Sequence, residues 1–239
     1  MTELLYYDDS YIQSFEAAIT AIDELSRGVV LDKTAFYPGG GGQPADFGKL
    51  ITKAETYIVK RAKKINGAVV HILEGDAPLP PVETSIQGQL DWEHRYKVMR
   101  THTAMHILCG VIYRDYGASV TGGNMDPLKG RMDFEFETMR KELVEEINTA
   151  INAEVTNARP VSWRTLPRAE AFQIPDLIRT KINLLPSGIP EVRVVEISGL
   201  DLQADGGTHV RNTSEVGAIR VTNYKSKGKI NKRIYVELD

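Results

Sequence analysis

The sequence is poor in what several function classes require. It has 1 cysteine in 239 residues, Cys109, so no disulfide can form within the chain. No apolar run approaches the roughly twenty residues of a membrane span, and Met1–Tyr7 lacks a basic flank leading into an apolar stretch, so no secretory signal is expected. A cytoplasmic location fits these absences. The glycine run Gly39–Gly42 is not followed by Gly-Lys-Ser/Thr, which excludes a P-loop. Gly40 to Ala45 fits the dinucleotide fingerprint only as any run of four glycines would, and no βαβ unit surrounds it. Histidine is scarce, at 5 residues. The zincin Glu is missing too, since Thr103 stands after His102 where that motif needs a carboxylate.

Charge is also absent in a patterned way. The formal net charge is −3, which on its own weighs against a nucleic-acid partner. From Val216 to Val236, however, there is no acid, and Arg220, Lys225, Lys227, Lys229, Lys232 and Arg233 cluster there. Such a segment either holds phosphates or keeps an edge strand solvated.

What is present divides near residue 92. The first part (1–92) reads as short strands at Gly28–Leu31, Tyr57–Lys60, Val69–Leu73 and Ser85–Leu90. An Asn66-Gly67 hairpin signal and a proline-rich loop at 76–82 separate them. This predicts a small β-barrel, with one helix at Ser14–Leu25. Asp91 is a good N-cap for a helix from Trp92 to Tyr113. A second helix is expected over Thr138–Asn157, on a ladder of Met139, Leu143, Ile147, Ile151 and Val155. Strands follow at Val161–Arg164, Val192–Ile197, Val216–Val221 and Arg233–Leu238. The fold class is therefore α+β: a barrel-like domain (1–92), then a two-layer core (93–239) with helices on one face of an antiparallel sheet.

His102 and His106 stand one turn apart on the first of those helices, so both imidazoles leave the same face. Such a pair is equally the signature of ordinary core histidines. His209 follows Asp205-Gly206-Gly207-Thr208, where a tight turn lets Asp205 and His209 swing toward one point. Two ligands from a helix and two from a loop complete a tetrahedral metal site. Asp205 is equally well read as the opening residue of a plain turn. Cys109, one turn beyond His106, reads as a core residue.

Three elements occur in order: Thr34-Ala35-Phe36-Tyr37 leading to Gly40-Gly41-Gly42-Gln43, then His102 and His106, then Gly206-Gly207-Thr208-His209. Together they resemble the editing domain of alanyl-tRNA synthetase and its freestanding relatives, the AlaX group. The resemblance spans from about residue 28 to the C-terminus and takes in Gly130–Phe134 and the basic end. It implies a β-barrel followed by an α+β editing core. It also implies one zinc ion on His102, His106 and His209, and hydrolysis of serine or glycine wrongly esterified to alanine tRNA. The chain departs from the family at Asp205, where the usual ligand is Cys. A carboxylate keeps the thiolate's formal charge but is harder, which shifts metal preference. Asp205 is thus the fourth ligand or, unligated, a general base. Thr34 is the candidate reader of a seryl hydroxyl, and Gln43 helps shape the pocket; as plain residues they are a strand threonine and a turn residue. Lys225, Lys227, Lys229, Lys232 and Arg233 are the candidate tRNA contacts. No synthetase activation motif is visible, so the protein is expected to act in trans, as a monomer. Two other readings stay open: a tRNA-binding module with a structural metal, and a hydrolase of small esters or amides.

Overall fold

The computed structural model describes residues 2–181, 185 and 188–239. The chain divides between Tyr96 and Lys97 into two compact units. In the first, β1 (Glu3–Leu4), β2 (Ser14–Asp23), β3 (Gly28–Leu31) and β4 (Lys33–Thr34) precede the glycine run. After it come β5 (Gly48–Ile51), β6 (Thr56–Ile65), β7 (Ala68–Leu73) and β8 (Ser85–Leu90). β1 and β4 pair in parallel, and the rest close a barrel in the order β2-β3-β7-β6-β5-β8. Phe15, Ile19, Val29, Leu31, Phe36, Leu50, Val59 and Ile86 fill its interior.

The segment expected to be a helix, Ser14–Leu25, is strand β2 over most of its length. Phe15, Ala17 and Ile19 are buried while Ser14, Glu16 and Thr20 are exposed. That is a period of two rather than 3.6, and β2 bonds to β3 on one edge and β8 on the other. The Asn66-Gly67 turn joins β6 to β7 with both residues at positive φ, 48° and 84°, as a two-residue hairpin with right-handed strand twist requires.

The helix α1 (Trp92–Tyr116) follows. Asp91 caps it, its Oδ1 accepting the His94 N–H at 2.9 Å. It passes through Gly110 without a break, because that glycine is a packing device. A Cβ there would lie 2.9 Å from Leu200 Cγ and 3.0 Å from Asp201 Cβ. From Thr101 to Ile112 every residue is buried, so the helix is enclosed on all sides. Its polar side chains must therefore find partners within the protein.

The second unit continues with β9 (Val120–Asp126), β10 (Lys129–Glu135), α2 (Lys141–Thr156), β11 (Val161–Pro167) and the one-turn α3 (Arg168–Ala171). It ends with β12 (Glu191–Ile197), β13 (Asp201–Ala204), β14 (Ile219–Ser226) and β15 (Asn231–Leu238). Two antiparallel sheets result, β14-β15-β10-β9 and β11-β12-β13. Gly130 of β10 lies against α1, where a Cβ would meet the Met105 sulfur at 2.4 Å. α2 packs on β14 and buries Val144, Ile147, Ile151 and Glu154, whereas Leu143 and Val155 are only half-buried and Met139 precedes the helix. A strict fourfold ladder drifts around a helix of 3.6 residues per turn, so the face that packs is 144/147/151/154. Val216, expected to open a strand, instead ends a 3-10 turn capped by Asn212, and β14 starts at Ile219.

Candidate metal centre and glycine-rich loop

His102 and His106 of α1 and Asp205 and His209 of the segment after β13 offer four ligand atoms within 4.8 Å of one another, all in the second unit. The three Nε2 atoms converge on one carboxylate. His209 lies 3.0 Å from Asp205 Oδ1, and His102 and His106 lie 3.5 and 4.0 Å from Oδ2. Tetrahedral zinc, with bonds of about 2.0–2.1 Å, sets its donors roughly 3.3 Å apart. The spacings to Oδ2 are a few tenths of an ångström wider than that, which small side-chain shifts close, and three imidazoles plus one carboxylate are an accepted zinc donor set. The residues fit the metal.

Each imidazole is held from behind. His106 Nδ1 donates to Asp201 Oδ2 at 2.9 Å, His209 Nδ1 meets the Thr103 hydroxyl at 3.3 Å, and His102 has a backbone hydrogen bond with Thr208. Burial dominates their protonation. It pulls His102 down to about 4 and holds His209 well below the usual imidazole range. Burial also pulls on His106, but the Asp201 hydrogen bond and the charges of Asp201 and Asp205 outweigh it and leave this imidazole raised. Burial would raise Asp205, yet the surrounding imidazoles hold it well below the usual carboxylate range. Burial thus favours neutral His102 and His209 and the imidazoles favour an ionised Asp205, as a divalent ion needs, whereas His106 must give up a more tightly held proton to bind one.

The loop carrying Asp205 is a turn that also aims one carboxylate oxygen at the imidazoles. Gly207 N donates to Asp205 Oδ1 at 2.7 Å, closing an Asx turn that leaves Oδ2 facing His102 and His106. Arg193 of β12 clamps the turn by donating to the Asp205 and Gly207 carbonyls at 3.1 and 3.0 Å. Sequence reasoning missed Asp201, Gln203 and Arg193. A signal existed for the first two: Asp201, Gln203 and Asp205 alternate along β13 and the residue beyond it, a polar row on one face of the strand.

Thr34 and Gln43 belong to the first unit. Gly39, Gly40, Gly41 and Gly42 all have positive φ, at 80°, 143°, 58° and 87°, which explains why the run is glycine. Gly40 and Gln43 exchange backbone hydrogen bonds around Gly41-Gly42. The loop is not a floppy linker. Asp46 accepts the Tyr37 N–H at 2.6 Å and is paired with the fully buried Arg95, which also donates to the carbonyls of Ser10 and Ala35. Gln43 is buried. Thr34 has no exposed surface. Its Oγ1 accepts the Phe36 N–H at 3.1 Å and lies 2.8 Å from His71 Nε2. His71 Nδ1 faces the Val29 carbonyl at 3.1 Å, which can only accept, so Nδ1 carries the proton and Thr34 donates to Nε2.

Of the basic end, Lys225, Lys227 and Lys229 are exposed on the β14–β15 hairpin. Lys232 is buried and donates to the carbonyls of Gly228 and Lys229 at 3.0 and 2.9 Å. Arg233 makes a two-pronged pair with Asp133 at 2.6 and 2.8 Å. No described helix is long and apolar enough to cross a membrane.

Residues 192–235 match the second additional domain of threonyl and alanyl tRNA synthetases, and residues 3–94 match the class II (A) tRNA synthetases. The chain is 42% identical to the alanyl-tRNA editing protein AlaX-M of Saccharolobus solfataricus, over 98% of both chains. It is 37% identical to AlaX-M of Methanosarcina acetivorans, over 100% of this chain and 99% of that one. Identity to an alanine–tRNA ligase of Saccharolobus islandicus is 35%, over 93% of this chain but 25% of the ligase. The chain belongs to the alanyl-tRNA editing protein AlaX-M family.

Proposed function

We propose that the chain hydrolyses the ester of alanine tRNA mischarged with serine, and less selectively with glycine, in trans. The metal is a single zinc ion on His102, His106, His209 and Asp205. The observation that carries this reading is the convergence of three oriented imidazoles on Asp205, in a chain similar throughout its length to proteins named for alanyl-tRNA editing. A divalent ion there supplies Lewis acidity to an ester carbonyl or a water. In the hydrolysis, water adds its hydroxyl to the acyl carbon, the acyl–oxygen bond breaks, and the water's proton passes to the departing ribose oxygen.

The chain's own residues do the rest. Asp205 is the fourth ligand through Oδ2, because the Gly207 N–H already occupies Oδ1 and Oδ2 faces His102 and His106. It brings the negative charge that the thiolate brings elsewhere in the family. Thr34 sets the serine preference: His71 takes its proton, which leaves Oγ1 an acceptor, the role needed to receive a seryl O–H. Alanine has no hydroxyl to offer and so gains nothing from the lone pair of Oγ1 that the Phe36 N–H leaves over. Gln43, buried at the closing position of the glycine hairpin, shapes the same pocket. Lys225, Lys227 and Lys229 meet tRNA phosphates. Lys232 and Arg233 are spent on internal partners and act by shaping the hairpin instead. Deacylation of seryl-, glycyl- and alanyl-tRNA(Ala) tests the proposal: seryl-tRNA is cleared fastest and alanyl-tRNA is spared. Binding of tRNA without deacylation, or equal hydrolysis of small esters, refutes it.

A further inference from the structure

We propose that Asp201 is a positioning residue of the metal centre, holding His106 with Nε2 toward the ion and strengthening it as a ligand; this rests on the reading of the cluster as a metal site. Asp201 begins β13, and its side chain has no exposed surface. The close approach of α1 at Gly110 sets its Cβ against that helix, one turn from His106. Both its hydrogen bonds come to one oxygen: Oδ2 accepts from His106 Nδ1 at 2.9 Å and from Gln203 Nε2 at 2.7 Å. Its other oxygen makes no hydrogen bond, and the nearest cation, Arg179 Nε, stands 3.6 Å away. A buried carboxylate kept only to pair with arginine would place its hydrogen bonds there. This one gives its hydrogen-bonding oxygen to an imidazole and an amide instead.

The three imidazoles are backed unequally. A hydroxyl stands behind His209, a backbone group behind His102, and among the described residues a carboxylate stands behind His106. A carboxylate on Nδ1–H fixes the tautomer and pushes electron density toward Nε2. Asp201 also adds a second negative charge beside Asp205, so that a divalent ion is balanced by the two carboxylates nearest it. Loss of such an outer partner typically weakens metal affinity about 10- to 100-fold.

The test uses the full chain, zinc and a competing chromophoric chelator. The wild type binds one equivalent. Asp201→Asn, which keeps the shape and an acceptor but not the charge, binds zinc about 10- to 100-fold more weakly. Its metal-free form unfolds at nearly the same urea concentration. Equal zinc affinity in the two proteins, with lower stability of the metal-free variant, overturns the inference and assigns Asp201 to the fold alone. A wild type that binds no zinc overturns the metal reading itself. A second measurement needs no variant: imidazole nitrogen spectra of the zinc-loaded wild type. They show His106 ligated through Nε2 with a slowly exchanging Nδ1 proton, and ligation through Nδ1 overturns the inference.

Discussion

Replacing His71 with glutamine is predicted to flatten the pH dependence of stability without unfolding the barrel. His71 is completely buried, and burial lowers its pKa to about 4, a pull that the Val29 hydrogen bond only partly offsets. In the unfolded chain an imidazole titrates near 6.5. Between those values the unfolded state binds the proton and the folded state does not, so stability falls as pH drops through this window. The difference of about 2.5 units corresponds to roughly 3.4 kcal/mol at full protonation. Between pH 7 and pH 5 it amounts to about 2 kcal/mol. Glutamine does not titrate, and its amide can still donate to Val29 and accept from Thr34. Urea unfolding of both proteins at pH 7 and pH 5, compared as a difference of differences, isolates the residue from every other titrating group. The wild type should lose about 2 kcal/mol more than His71→Gln on acidification. Parallel losses would mean that His71 is protonated in the folded state. Thr34 would then have no acceptor in Nε2, and the account of its hydroxyl would fall with it.

The same hydroxyl gives a second test. Thr34→Val should cost roughly 1–3 kcal/mol, or about 5- to 150-fold, in seryl-tRNA hydrolysis, with a much smaller effect on glycyl-tRNA. Equal losses would make Thr34 a support of the barrel. Asp205→Cys should retain one equivalent of zinc at least as tightly, read by chelator competition, whereas Asp205→Ala should bind it more weakly; a cysteine variant that cannot hold the ion removes Asp205 from the ligand set. Changing Lys225, Lys227 and Lys229 together to alanine should weaken tRNA binding and reduce the slope of log affinity against log salt by roughly 2–3. An unchanged slope assigns these lysines to solvation.

The sequence carried the metal cluster well because its signals are local. His102 and His106 declare themselves by one helical turn, and Asp205 and His209 by one short loop. It carried less of what holds them. Arg193 acts on the carbonyls of a turn distant in sequence, and nothing near it in the chain marks that role, while Asp201 shows only as one member of an alternating polar row. The strand β2 was misread because a segment without glycine or proline suits either regular structure, and only the alternation of Phe15, Ala17 and Ile19 decides. The sequence showed that the glycine run is no phosphate-binding loop, but the reason for the run lies in four consecutive positive-φ positions and in Arg95, 49 residues beyond Asp46. Lys232 and Arg233 look like their neighbours in the sequence. Only the strand register separates them: Lys232 turns inward, and Arg233 faces Asp133 across β10.

The central claim is that metal held at His102, His106, His209 and Asp205 enables the removal of serine from alanine tRNA. The direct measurement is the rate of seryl-tRNA(Ala) hydrolysis by the wild type as purified, after stripping to a verified metal-free state, and after return of one equivalent of zinc. The account predicts a loss of at least about 100-fold on stripping, full recovery with zinc, and no recovery in His209→Ala. Undiminished hydrolysis by the metal-free protein would contradict it.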